Sequence, residues 1–191
     1  LHGTKFECPM TPFNSVADLC WSPDSKLIAY VMKPSTGREY AFHTQMHLYV
    51  YDTQTEIIQN LTENFEKNHG YLSNPVFSPD GKKIAFGMMK RDQFEADICE
   101  LHFYDFESKS IKKVKSNFKE SVGKIVWSDN SETIFFTGSW HGHVGIYQIS
   151  LKNEYVTKLT TNEFDYDGSF QYISNKLYIL RSSIKAPHDL V

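Results

Sequence analysis

The sequence predicts an all-β fold of repeated four-stranded antiparallel sheets, and three observations carry that expectation. Aromatic residues reach 15% of the chain, with 14 Phe, 11 Tyr and 3 Trp, and such side chains suit a pleated, half-buried surface. No stretch combines sustained helical periodicity with capping signals. Above all, one pattern recurs: "CWSPDSKLIAY" from Cys20, "VFSPDGKKIAF" from Val76 and "VWSDNSETIFF" from Val126.

Each copy opens with an aromatic residue before a serine, at Trp21, Phe77 and Trp127. A turn follows: Ser22-Pro23-Asp24-Ser25, Ser78-Pro79-Asp80-Gly81 and Ser128-Asp129-Asn130-Ser131. Proline brings the φ that the second position of a type I turn needs, and Asp suits the next. Gly81 then supplies a left-handed conformation without steric cost. Asn130 is the most tolerant substitute in the third copy, and Ser25 in the first is a strained choice. A short apolar strand ending in an aromatic completes each copy: "LIAY" from Leu27, "KIAF" from Lys83 and "TIFF" from Thr133.

The second halves repeat too. "HLYVYDTQTEIIQNLT" from His47, "ELHFYDFESKSIKKVK" from Glu100 and "GIYQISLKNEYVTKLT" from Gly145 each read as strand, polar turn and strand. A fourth unit begins with "GSFQYISNKLYIL" from Gly168, turning at Ser174-Asn175, and "APHDLV" leads toward a third strand. The units span 16–63, 72–116, 122–161 and an incomplete 168–191, within one partial domain covering residues 1–191. A lone four-stranded sheet cannot bury both faces, whereas radial stacking of such sheets does. The architecture expected is therefore an incomplete β-propeller of about three and a half blades. A two-layer β-sandwich does not predict the repeat. The spacing exceeds the roughly 40–45 residues of a plain blade, which places insertions at "KPSTGREYAFHTQM" (33–46) and "MMKRDQFEAD" (88–97), each between the second and third strands of its unit.

The bulk numbers narrow the function classes. At 40% hydrophobic and 23% charged the chain can build a core. A net charge of −3 sets aside a dedicated nucleic-acid binder, and Lys109, Lys112, Lys113 and Lys115 read as a solvated hairpin edge. The longest apolar run, "LIAYVM" at 27–32, is strand-sized, so no membrane segment is expected. The opening "LHGTKFEC" has neither an initiator Met nor a signal-peptide pattern and reads as a mature or trimmed start. Cys8, Cys20 and Cys99 cannot all pair; a Cys8–Cys20 bridge and free thiols both stay open. The triplet Asn60-Leu61-Thr62 is a glycosylation sequon with no secreted context to support it, and the compartment stays open.

Among candidate sites, His141 and His143 in "SWHGHVG" read as hairpin histidines, because no further ligand stands near in sequence to complete a metal site. No Trp-Asp pair closes any unit, which sets aside the WD-repeat propellers. Neither a metal nor a cofactor is expected. Long loops on a propeller face tend to carry function, so Arg38, Glu39 and His43 of the first insertion are the candidate substrate-binding residues. Glu63, Glu66, Asp165 and Asp167 read as solvated charges in inter-blade loops.

The blade repeat resembles that of the prolyl oligopeptidase family, particularly its dipeptidyl-peptidase and acylaminoacyl-peptidase branches. The Tol-system periplasmic propeller carries the same repeat type. "LYILRSSIKAPHDLV" from Leu177, with its strand, Arg-Ser-Ser and Pro-x-x-Leu, resembles a mid-propeller segment of the peptidase branch. The resemblance runs from about Val16 to Val191. It implies the non-catalytic propeller of a serine peptidase that removes dipeptides or acylated residues from short peptides, gating access to a C-terminal α/β-hydrolase domain with a Ser, Asp and His triad. The G-x-S-x-G elbow of that domain is absent from these residues, and Gly138-Ser139 lies inside a β unit. No catalytic residue is carried over, and no motif assigns Glu39 or Glu66 to the grip on a substrate's amino terminus. The alternative is a Tol-like interaction propeller without catalysis. An unfinished blade is expected to leave open edges through which copies of the chain pair.

Overall fold

The computed structural model describes residues 8, 18–65, 69–153 and 155–191, apart from the side chain of Asp167. Val16, where the first unit was expected to open, and Glu66 lie outside the described residues.

The first sheet holds β1 (Leu19–Trp21), β2 (Leu27–Met32), β3 (His47–Asp52) and β4 (Ile58–Asn60). The second holds β5 (Leu72–Phe77), β6 (Lys83–Met89), β7 (Cys99–Asp105) and β8 (Ser110–Lys113). In the third are β9 (Val122–Trp127), β10 (Thr133–Trp140), β11 (His143–Ser150) and β12 (Val156–Lys158). The fourth, among the described residues, holds β13 (Asp165–Ile173), β14 (Lys176–Ser183) and β15 (Ala186–Leu190). Strands pair antiparallel in chain order within every sheet. Register repeats with sequence: Trp21 faces Ile28, Phe77 faces Ile84, and Trp127 faces Ile134.

A buried serine organises the turn between the first two strands in each of the first three sheets. Ser78 Oγ donates to Asp80 Oδ1 at 2.6 Å and accepts from Lys83 N at 2.9 Å, while Asp80 Oδ1 accepts from Lys82 N at 3.0 Å. Ser22 and Asp24 make the same three bonds to each other, Leu27 N and Lys26 N. Ser128 and Asn130 make them with Thr133 N and Glu132 N. Asn130 is thus the counterpart of Asp80 rather than of Gly81, and the expected left-handed role falls on Ser131 instead. The left-handed residues are Ser25 (φ 59°), Gly81 (φ 70°) and Ser131 (φ 60°). An amide oxygen accepts the two bonds as a carboxylate does, which is why Asn can stand there.

Both insertions lie between the expected strands, β2 and β3 and β6 and β7, but Met88 and Met89, expected in the second, belong to β6 and pair with Glu100 and Cys99. The first contains a single helical turn, α1 (Glu39–Phe42), too short to leave a periodic trace in the sequence. Asp165, expected in a loop, is the first residue of β13. It accepts a hydrogen bond from Val144 N at 3.0 Å, so it ties strands rather than facing solvent alone.

The chain forms two compact units, Leu1–Lys113 and Val114–Val191. In the first, Ala29, Val31, Leu48 and Val50 of one sheet pack with Phe77, Ile84, Phe86 and Tyr104 of the next. In the second, Phe135 and Ile146 pack with Tyr166, Phe170 and Ile179. Apolar residues from facing sheets close each core, which is what drives sheets of this kind to stack.

Candidate functional site

The two insertions of the first unit meet, and Asp92 joins them. Its Oδ1 accepts from Thr44 N at 2.7 Å, Gln45 N at 2.9 Å and Thr44 Oγ1 at 3.2 Å. Its Oδ2 lies 2.5 Å from His43 Nδ1. The return contact runs from Gln93 N to Thr44 Oγ1 at 2.8 Å. Asp92 is itself held below the usual carboxylate range: burial pushes the other way, but the His43 bond and the two backbone amides outweigh it. His43 is raised in turn, chiefly by its bond to Asp92. Glu39 adds a weaker contact, 3.4 Å from His43 Nε2.

The second insertion is braced within itself. Arg91 grips Asp97 through Nη2–Oδ1 at 2.7 Å and Nε–Oδ2 at 3.1 Å, with its guanidinium 3.8 Å above the Phe94 ring. Gly70 lies beneath: Gly70 N donates to Met89 O at 2.9 Å, and its own carbonyl accepts from Met46 N at 3.2 Å. A Cβ at Gly70 would stand 2.4 Å from the Arg91 carbonyl oxygen, so this approach requires glycine.

Between the insertions opens a cavity of about 430 Å³. Lys33, at the end of β2, forms one wall with Tyr40, Ala41, His43 and Thr44, and Tyr71, Met89 and Glu95 form the other. Lys33 is 5% exposed. Its Nζ donates to the Tyr40 carbonyl at 2.5 Å and lies 3.9 Å from the centre of the Tyr40 ring. Burial pushes the Lys33 ammonium down, against the opposing pull of Asp92 and Glu95. Burial also pushes the Tyr71 phenol up to about 12, so it stays protonated and able to donate.

Of the residues expected from sequence, the structure brings Glu39 and His43 together and sets His43 on the cavity. Arg38 is exposed and turns to the Phe42 ring, 5.5 Å away. Lys33, Asp92 and Glu95 escaped the sequence reading. Lys33 follows "LIAYVM" and reads as an ordinary polar strand end, while Asp92 and Glu95 are two charges among several in "KRDQFEAD".

Other candidates have structural roles. All three cysteine thiols are free; Cys20 and Cys99 are pushed up to about 11 mainly by burial, which makes them poor nucleophiles. His143 faces Asp165 at 3.4 Å, and His141 packs on Trp140. Among the described residues, no group of three or more His, Cys, Asp or Glu is placed to hold a metal ion. Asn60 Oδ1 accepts from Thr62 N at 2.9 Å and Thr62 Oγ1 at 3.0 Å, closing an Asx turn.

No protein-family model matches the chain. Among curated proteins, it is 31% identical over 190 residues to dipeptidyl-peptidase 5 of Porphyromonas gingivalis and 34% identical over 190 residues to that of Porphyromonas endodontalis. Each match covers 100% of this chain, and the chain spans 27% of each relative's length. Among solved structures, acylaminoacyl peptidase of Pyrococcus horikoshii superposes with a TM-score of 0.64 at 15% identity, over 90% of this chain and 24% of that one. A TolB from Agrobacterium tumefaciens gives 0.63 at 16% identity, over 87% of this chain and 54% of that one. These structural likenesses establish the β-propeller fold, and they do so equally for the peptidase and for TolB. Sequence separates them: with 31% and 34% identity sustained along the whole chain, this propeller is a homologue of the corresponding part, about a quarter, of the dipeptidyl-peptidase 5 proteins.

Proposed function

We propose that this chain is the non-catalytic propeller of a serine peptidase that removes dipeptides or acylated residues from short peptides. Acyl transfer belongs to an α/β-hydrolase domain outside these 191 residues. The observation that carries this reading is whole-chain identity to dipeptidyl-peptidase 5 proteins in a sequence with no G-x-S-x-G elbow. The chain's own part is to screen and hold peptides. A propeller beside a hydrolase site admits only what is short or unfolded, and loops on its face supply contacts.

Arg38, Glu39 and His43 are the contact residues in this reading. His43 lines the cavity, Glu39 lies 3.4 Å from its Nε2, and Arg38 is exposed on the same loop, which supports this reading. The test is steady-state kinetics of the full-length enzyme on chromogenic dipeptidyl substrates, comparing Arg38→Ala, Glu39→Gln and His43→Gln with wild type. A several-fold rise in KM with kcat within about twofold is expected, the signature of lost ground-state binding. Unchanged KM in all three variants sinks the role of this loop, and absence of hydrolysis by the full-length wild type sinks the peptidase reading. A Tol-like interaction propeller has the same fold behind it but only 16% identity.

A further inference from the structure

Lys33 presents an unusual electrostatic situation. Lys33 is almost wholly buried as a residue, yet among the described residues its ammonium makes one hydrogen bond, to the neutral carbonyl of Tyr40. Among the described residues, no carboxylate lies within ion-pair distance of it; the Tyr40 ring face is the other group against it. An ammonium has three protons to donate, and a buried charge without a counter-charge is costly. Nearby acids are otherwise engaged or too far. Asp92 is committed to His43 and two backbone amides, and Glu95 acts on Lys33 only through space, from the exposed rim. Lys33 also lines a cavity of about 430 Å³, roomy enough for a small organic molecule.

We propose that the Lys33 cavity is a carboxylate subsite, in which the ammonium and the cavity-lining His43 receive the carboxylate of a short peptide while Tyr40, Tyr71 and Met89 enclose its apolar part. The depressed basicity of Lys33 fits a cation waiting for a counter-ion: an entering carboxylate restores the charge that burial disfavours. Glu95 on the same wall selects further. It repels a polyanion and suits a ligand that carries an ammonium of its own, as a free dipeptide does. That the carboxylate belongs to a peptide rests on the peptidase reading; that the cavity takes a carboxylate does not.

Calorimetric binding to the full-length protein tests it, with glycyl-tyrosine, glycyl-tyrosine amide and the amidated peptide glycyl-aspartyl-tyrosine amide as probes. Wild type is expected to bind glycyl-tyrosine on the order of tenfold more tightly than its amide, as a charge-assisted hydrogen bond allows. Lys33→Met, close to isosteric, should abolish that preference, and Lys33→Arg should retain it in part. Rescue of binding in glycyl-aspartyl-tyrosine amide would assign the carboxylate to a side chain; failure there would assign it to the chain end. Because Lys33→Met could unfold the chain, Glu95→Gln provides a second route: it is exposed, and it should strengthen binding of N-acetylglycyl-tyrosine several-fold. An acid-to-amide ratio equal in wild type and Lys33→Met, or in the event of unfolding no response to Glu95→Gln, overturns the proposal. Dipeptidyl hydrolysis measured on the same preparations keeps the two readings apart. Hydrolysis without an acid preference removes only the carboxylate subsite, and acid preference without hydrolysis removes only the peptidase.

Discussion

A single carboxylate, Asp92, satisfies two backbone amides, a hydroxyl and an imidazole from the other insertion. Its side chain is 16% exposed, so Asp92→Asn should cost about 1–3 kcal/mol in urea unfolding, through lost charge-assisted bonds. Faster amide exchange should appear in residues 33–46 first. The pair has a pH window whose sign follows from its two shifts. Asp92 is depressed, so its contribution is present above the ordinary carboxylate value near 4 and is lost as pH falls through the depressed one. His43 is raised, so its contribution is full below the ordinary imidazole value of about 6.5 and fades as pH rises through the raised one. Protection of the insertion, corrected for intrinsic exchange, should therefore be greatest between about pH 4 and 6.5. His47 works in the opposite sense. Burial, with His69 5.2 Å away, pushes it down to about 4, so the unfolded chain binds more protons between about 6.5 and 4 and stability falls as pH drops through that range. The loss should reach up to about 3 kcal/mol, less for whatever solvent still reaches the ring, and His47→Gln should flatten it.

At the scale of elements, the turn and the insertion are governed by different rules. Ser25 holds a left-handed conformation with a side chain exposed to solvent. Replacing it by glycine should stabilise the chain by about 0.5–1 kcal/mol, because the steric penalty exceeds the extra entropy that glycine loses. No gain in the unfolding midpoint of Ser25→Gly would refute that account of the turn. Gly70 supports the opposite substitution test. Gly70→Ala pushes a methyl against the Arg91 carbonyl, and overpacking of this kind costs about 1–3 kcal/mol. Its signature should be loosening of the 88–97 insertion, read by amide exchange, with the β-ladders unchanged. The strands and turns were legible because serine, proline, aspartate and alternating aromatics act locally, within a few residues. Asn130 misled only in register: its chemistry was read correctly as turn-forming, but its oxygen, not its backbone, is what the turn uses.

For the molecule as a whole, the proposed function assigns the chemistry to a part of the protein other than this scaffold. The 191-residue chain alone is expected to hydrolyse neither dipeptidyl nor acylaminoacyl substrates, and turnover by the purified chain, insensitive to repurification, would contradict the proposed division of labour. Within the described residues β15 pairs on one side only, with β14, so the isolated chain should self-associate, with sedimentation velocity as the check. The sequence by itself determined the blade, its strand order and the positions of both insertions, because a repeat reports the same local physics several times over. It also drew attention to Arg38, Glu39 and His43 as expected contacts, since a long loop is where charged residues invite a role. Only the tertiary structure decided that residues 33–46 and 88–97 share one carboxylate, and that Lys33 lies buried with no carboxylate at ion-pair distance among the described residues. Neither fact is written in any window of the chain: both arise where segments about fifty residues apart are brought together by sheet packing, and there burial, rather than residue type, sets what a lysine or an aspartate can do.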